Sequence, residues 1–362
     1  MKRIKFLSKF FGKIRSGDWN LEKTDYIIHS DTLFSAICNN FSLLYGKSEL
    51  ELLIEKWQKD KSPLFSSLFP LIRISFTNEE LKTSKEVDLY FYPKPMLKIK
   101  PEDEIIFEEH PKDWKNIKFV SESVFLSIVA GEPISVNKEF ILSDLFLIST
   151  RERELILQLS SRALGLLSEF DPYFDLDEDH VTIDRITHQS MPFFVTFLNF
   201  NYREFVLNDN SIIKIRTGLH CLWQGDLSEK TTAALRLIAD EGLGGKRTVG
   251  SGLFEKIEVV EASLDRFFKE TAKAYIILSL MYPTESDFPQ LKAYSFVNRG
   301  GFVYSPTNRT KPAKMIRMVR EGSIANSEIT GNLLDVTPDN FNKHQVYKYG
   351  LAFSLPVSKV IE

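Results

Sequence analysis

Apolar and polar positions alternate at the start of the chain. Ile4, Phe6 and Phe10 fall on one side, and Arg3, Lys5 and Lys9 on the other. Period two predicts a strand over 3–11 with one buried face and a basic outer row. The period then changes. In "SDTLFSAICNNFSLLYG" Leu33, Ile37, Phe41 and Leu44 recur at helical spacing. Ser30 is placed to cap that helix, Asp31 to favour the positive end of its dipole, and Gly46 to end it. A second helix is predicted from Ser48, because Glu51 three residues on completes a capping box. Strand patterns follow at 70–76 and 86–92, ending at "YPKPM", whose prolines forbid further ladder pairing.

Residues 101–150 read as an insertion, acidic at first and apolar later. Leu155, Leu159, Ala163, Leu166 and Phe170 predict one helix over 151–170, broken at Asp171-Pro172. An acidic loop at 175–180 leads into apolar β-type sequence to about 207. A helix over 228–241 then runs into a glycine-rich loop and the strand "LFEKIEVVE". From about 262 strand patterns return near 272–281, 293–304, 314–320 and 347–357. The order strand–helix–strand–strand–helix–strand predicts a ferredoxin-like (split βαβ) unit, and the tail reads as a second, degenerate copy. The expected domains are 1–261, with an inserted segment around 93–180 and the glycine-rich loop at 242–252, and 262–362.

Composition narrows the picture. A chain of 362 residues has room for two cores, and its 43% hydrophobic and 26% charged content is that of a globular protein. With a net charge of −3 there is no global sign of nucleic-acid binding, so any polyanion site must be a local patch. Cys38 and Cys221 stand alone, which excludes a disulfide framework and points to a reducing compartment. Lys5, Lys9 and Lys13 interrupt any signal-peptide core, and the apolar run at 274–282 is too short to cross a bilayer. A cytoplasmic protein, with no membrane partner, is expected.

"GLGGKRTVGSGLF" (242–254) concentrates five of the seventeen glycines around a Lys-Arg pair. It fails the P-loop spacing, since Asp240 stands five residues before Gly245, and Arg247 takes the place of the third glycine of a dinucleotide fingerprint. Two readings stay open. In one, Gly244, Gly245, Lys246, Arg247 and Thr248 offer amides and cations to a phosphate–ribose backbone. In the other, Gly242 caps a helix and Gly250 and Gly252 form a bulge.

The tail adds a second clue. From Phe288 to Arg320 there is no acid but seven cations: Lys292, Arg299, Arg309, Lys311, Lys314, Arg317 and Arg320. Tyr294, Phe296, Phe302 and Tyr304 lie among them. Interleaved cations and aromatics suit single-stranded RNA, whereas a single aromatic is more often core. A third stretch, "HVTIDRITHQS", carries Arg185 and Thr187, where Arg185 binds phosphate or pairs with Asp184.

The six histidines form no metal cluster, and no nucleophile elbow is present. Neither a metal nor a cofactor is expected. A metal-independent ribonuclease needs only a base, an acid and a cation, and His29 is the candidate base. Beside a helix start, however, a packed structural histidine is the commoner case.

"HSDTLFSAI" (29–37), "YPKP" (92–95), "IDRIT" (183–187), the glycine loop, "VNRGGFVYS" (297–305), "EGSI" (321–324) and "YGLAF" (349–353) occur in this order. Together they resemble the 5′-handle-capping RAMP subunit of the type III-A CRISPR effector (Csm) complex, subunit four, over nearly the whole chain. The resemblance implies an α+β fold of two RRM-like (ferredoxin-like) domains with insertions. It implies a non-catalytic subunit that holds the 5′ tag of the crRNA and joins the large polymerase-like subunit to the backbone RAMP subunit, without contacting DNA directly. The implied RNA-contacting residues are Gly244, Gly245, Lys246 and Arg247 of the loop with Arg185 and Thr187, while His29, Ser30 and Asp31 match a family motif whose role is partly structural. Thr248 of the loop, Arg299 of the basic tail, and His29 and Ser30 complete the expected RNA-binding set. The alternative is a metal-independent repeat endoribonuclease using His29. Such enzymes carry the glycine loop near the C-terminus, whereas here more than a hundred residues follow it.

Overall fold

A computed structural model describes every residue except 11, 18–22, 79–81, 110, 265–271, 304–310, 340 and 361–362. Strand β1 (Lys2–Ser8) leads to helices α1 (Ser30–Tyr45) and α2 (Lys47–Asp60), then to β2 (Phe69–Asn78) and β3 (Thr83–Pro93). A short strand β4 (Phe119–Ser121) and helix α3 (Glu122–Ala130) precede strands β5 (Ile141–Leu142) and β6 (Phe146–Leu147) and helices α4 (Thr150–Leu159) and α5 (Ala163–Ser168). A long hairpin, β7 (Tyr173–Ile183) and β8 (Ser190–Phe200), is followed by β9 (Ile212–Gln224), α6 (Glu229–Glu241) and β10 (Phe254–Glu261).

The first sheet runs β10-β1-β9-β2, antiparallel throughout, and continues through β3, β4, β6 and β5. Counting only β1, α1, β2, β9, α6 and β10, this is the ferredoxin-like order 4-1-3-2. The helices supply its cover: Leu33, Ile37 and Phe41 of α1 and Leu235 and Ile238 of α6 are buried with Ile4 and Phe6 of β1. Burying each such side chain contributes about 1.5–3 kcal/mol.

The tail repeats the order. Strands β11 (Ala274–Ile277), β12 (Leu291–Ala293), β15 (Ile324–Ala325) and β16 (Ser354–Val357) form a sheet β12-β15-β11-β16, the same 4-1-3-2 permutation and again antiparallel. Between β12 and β15 a pair, β13 (Phe296–Arg299) and β14 (Ile316–Val319), stands apart. Among the described residues no α-helix follows Glu241. The sheet instead shares the apolar core of the first unit: Phe65 stacks between Trp223 and Tyr349, at 5.0 and 3.9 Å. No helix among the described residues is long and apolar enough to cross a membrane.

Several expectations need correction. The basic row of β1 is not outward: Arg3 and Lys5 are buried, because β1 is central and carboxylates from other strands and from the start of α3 meet them. Lys5 pairs with Asp88 and Glu258 at 3.0 and 2.9 Å, and Arg3 with Glu122. Phe10, placed on the buried face, is exposed. Leu44 is exposed as well. His29, not Ser30, occupies the N-cap, and α2 starts at Lys47 with no side-chain cap. The helix over 151–170 is two helices that break at Ser160, and their buried face is Ile156, Leu159, Ala163 and Leu167 rather than Leu155. The acidic loop is strand β7. Its aspartates at alternate positions share one face, and Thr196 on β8 donates to Asp177 at 2.6 Å.

Candidate RNA interface

The glycine loop is closed first on the chain itself. Leu243 N–H donates to the Gly252 carbonyl at 3.0 Å, Gly252 N–H to Lys13 at 2.7 Å, and Gly245 N–H to Arg15 at 2.9 Å. A Cβ on Gly244 would lie 2.4 Å from the Arg15 carbonyl oxygen, and one on Gly252 would lie 1.9 Å from that of Leu243. Both glycines also have positive φ, +84° and +79°. Their cause is therefore close packing of backbone on backbone. Gly250 (φ +81°) faces open space, and Gly245 has no neighbour closer than 3.8 Å to an added Cβ. Between them Lys246, Thr248 and Val249 are exposed and form the rim, with Arg247 half-buried. The capping reading is met at Gly242, which ends α6, while Gly250 ends the short 3-10 turn Arg247–Val249.

That rim borders a groove of about 1520 Å³. Asn39, Ser42 and Leu43 of α1 line it with Glu55 and Gln58 of α2, Gly244 and Lys246 to Thr248 of the loop, and His344, Gln345 and Tyr347 of the tail. The hairpin stands beside the loop. Its base is held by the pairing of Lys13 and Ile14 with Asn199 and Leu198, and by the Tyr173 hydroxyl donating to Leu71 at 2.8 Å. Lys246 Nζ lies 5.9 Å from the Phe193 ring, which stacks on His180 at 5.4 Å. Register puts His180, Phe193 and Met191 on the face toward Lys246, and Val181, Ile183 and Phe194 on the other. Arg185 and Thr187 sit at the exposed tip. There the Asp184 carboxylate accepts from the amides of Ile186 and Thr187 at 2.7 and 2.8 Å, and these bonds hold its pKa below the usual range. Loop and hairpin thus bring together Lys246, Arg247, Thr248, Gly244 and Gly245 on one wall and carry Arg185 and Thr187 beyond it.

His29, Ser30 and Arg299 are elsewhere, and their assignment to an RNA face is corrected. His29 and Ser30 are wholly buried and Arg299 nearly so. Ser30 Oγ accepts from Leu280 N–H at 3.1 Å, and its own amide donates to Ser67 at 2.9 Å. Asp31 receives Arg299 through two bonds, at 3.0 and 2.9 Å, and Lys348 at 3.1 Å. Against the opposing cost of burial, these cations hold the Asp31 carboxyl far below the carboxylate range. His29 Nδ1 lies 2.8 Å from Glu321. Burial would lower its pKa, but Glu321 and Asp25 hold the proton, and the value is pushed up to about 9. A general base must reach its proton, and His29 reaches only protein. His29 and Asp31 of "HSD", Arg299 of "VNRGG" and Glu321 of "EGSI" therefore meet in one buried seam, and Tyr349 of "YGLAF" packs beside Phe34 of α1.

Part of the basic tail is engaged as well. Besides Arg299, Lys314 pairs with Asp339 and Arg320 with Asp25. Tyr304 and Arg309 lie outside the described residues. The sequence did not single out Phe193, which only the tertiary structure brings near Lys246, or the groove residues of α1. Among the described residues no group of three His, Cys, Asp or Glu side chains could hold a metal ion.

These features define a tandem ferredoxin-like protein with one loop-and-hairpin face. The RAMP superfamily model matches residues 3–255, and the model of the CRISPR Csm4 C-terminal domain matches residues 270–357. The chain is 29% identical to the Csm4 protein of Methanocaldococcus jannaschii, covering 98% of this chain and 97% of that one. It is 28% identical to that of Thermococcus onnurineus, covering 91% and 92%. Among solved structures it is similar to a Csm3–Csm4 subcomplex of the type III-A CRISPR-Cas interference complex, with a TM-score of 0.63 and 24% identity over 98% of this chain and 99% of that one. It is also similar to a Csm1–Csm4 cassette in complex with cA3, with a TM-score of 0.53 and 17% identity over 100% and 98%. The chain belongs to the RAMP superfamily and, within it, to the Csm4 family of the type III-A effector complex.

Proposed function

We propose that this chain is a non-catalytic subunit that holds the 5′ tag of a crRNA in the cytoplasm and bridges the large polymerase-like subunit to the backbone RAMP subunit. The observation that carries the reading is the loop rim, where Lys246, Arg247 and Thr248 border the groove and Lys246 also faces Phe193 of the hairpin. Lys246 and Arg247 neutralise phosphates, while the loop's closed backbone fixes where those cations stand. Single-stranded RNA exposes unstacked bases, and Phe193 and Met191 offer them apolar surface on the same side. Arg185 and Thr187 contact the strand further out along the hairpin.

The relatives support the bridging half of the reading, since Csm4 proteins occur in complexes with Csm3 and with Csm1. The test is the salt dependence of crRNA binding by the Lys246→Ala/Arg247→Ala double variant. Loss of two phosphate contacts predicts a slope of log K against log salt shallower by about 1.4. An unchanged slope and affinity would refute the proposal.

A further inference from the structure

The pair β13–β14 carries an exposed aromatic patch. Phe288, Tyr294 and Phe296 are 48%, 41% and 37% exposed and pack on one another: Phe288 lies 6.2 Å from Phe296 with rings nearly parallel, and Tyr294 meets Phe296 edge-on at 5.2 Å. Arg317, across the ladder from Asn298, places its guanidinium 5.9 Å from the Phe296 ring. We infer that this aromatic–arginine patch is the surface on which the large subunit, Csm1, docks through an apolar face edged by carboxylates. The inference rests on the bridging reading above and assigns it a place.

The choice of a protein over RNA follows from the charges. The run 288–320 has no acid, yet Arg299, Lys314 and Arg320 already pair with Asp31, Asp339 and Asp25. Of the cations that face the patch, only Arg317 lies over one of its rings, a single charge rather than a row that would track a phosphate backbone. Clustered rings that cover one another offer no row of open faces for bases, whereas aromatics with an arginine are the composition of a protein-interface hot spot. The patch also lies in the segment matched by the Csm4-specific model rather than the general RAMP model, which suits a partner particular to this subunit. An apolar core that carries only positive charge is complemented by carboxylates on the partner.

The test uses the full-length chain with Csm1 and crRNA of its own system. Tyr294→Ala/Phe296→Ala is expected to lower affinity for Csm1 at least tenfold, with crRNA affinity and melting temperature kept. Arg317→Glu, a charge reversal at an exposed site with no ion pair among the described residues, is expected to slow association with Csm1, most at low salt. Unchanged Csm1 affinity in both variants overturns the assignment. Loss of crRNA affinity with Csm1 binding intact also overturns it, and makes the patch a base-stacking platform. Failure of the wild-type chain to bind Csm1 overturns the assignment and the bridging reading together, while leaving the Lys246/Arg247 result standing for the RNA reading.

Discussion

Asp31, in the first turn of α1, accepts two hydrogen bonds from Arg299, 268 residues further along the chain. With Lys348 also on Asp31, the bond ties the first sheet's helix to the C-terminal segments inside the protein rather than at a binding face. A buried charge pair adds little over apolar packing, but breaking one side of it is costly.

Asp31→Ala should therefore destabilise the protein by about 3–5 kcal/mol, because Arg299 and Lys348 stay buried without their counter-charge. Chemical denaturation measures it, and a loss under about 1 kcal/mol would remove the seam's structural role.

His29 predicts alkaline instability. Its folded pKa of about 9 lies above the unfolded value of about 6.5, so the proton is bound more tightly in the native state. The contribution is complete below about pH 6.5 and is lost as pH rises through 9. Melting temperature should fall between pH 7 and 10, and His29→Gln should flatten that profile. An equal slope in both proteins would contradict the pairing with Glu321.

The two kinds of loop glycine should separate. Gly252→Ala puts a Cβ against the Leu243 carbonyl as well as straining φ, whereas Gly250→Ala meets only the strain, about 1–2 kcal/mol. Thermal melts and crRNA affinity should both rank Gly252→Ala as the worse variant. The reverse order would mean that the loop closes differently from this geometry.

Arg185→Ala at the hairpin tip should leave the melting temperature unchanged, since the side chain is exposed on a turn held by Asp184. It should reduce the salt slope of crRNA binding by about 0.7, one phosphate contact. A lower melting temperature with an unchanged slope would make the tip structural instead.

Much of the first unit was legible because its signals are local. The spacing of Leu33, Ile37 and Phe41 shows which side of α1 is buried, and the positions of Gly242 and Ser228 mark the ends of α6. The second sheet was legible only as strands. Its order repeats that of the first, but no helix-period pattern separates the strands, so packing on Tyr349 and Phe65 had to supply its cover.

Chemistry that depends on a distant partner was not legible. Arg3 and Lys5 read as a solvated row because Glu122, Asp88 and Glu258 are remote in sequence. Arg299 read as an RNA contact because its carboxylate lies near the other end of the chain. The sequence by itself determined where strands, helices and the glycine loop fall, since hydrophobic period and backbone freedom are properties of neighbouring residues. Only the tertiary structure decided which cations remain open to a polyanion. A charge is free or engaged according to what folding brings within about 4 Å of it, and that distance is set by topology rather than by spacing along the chain.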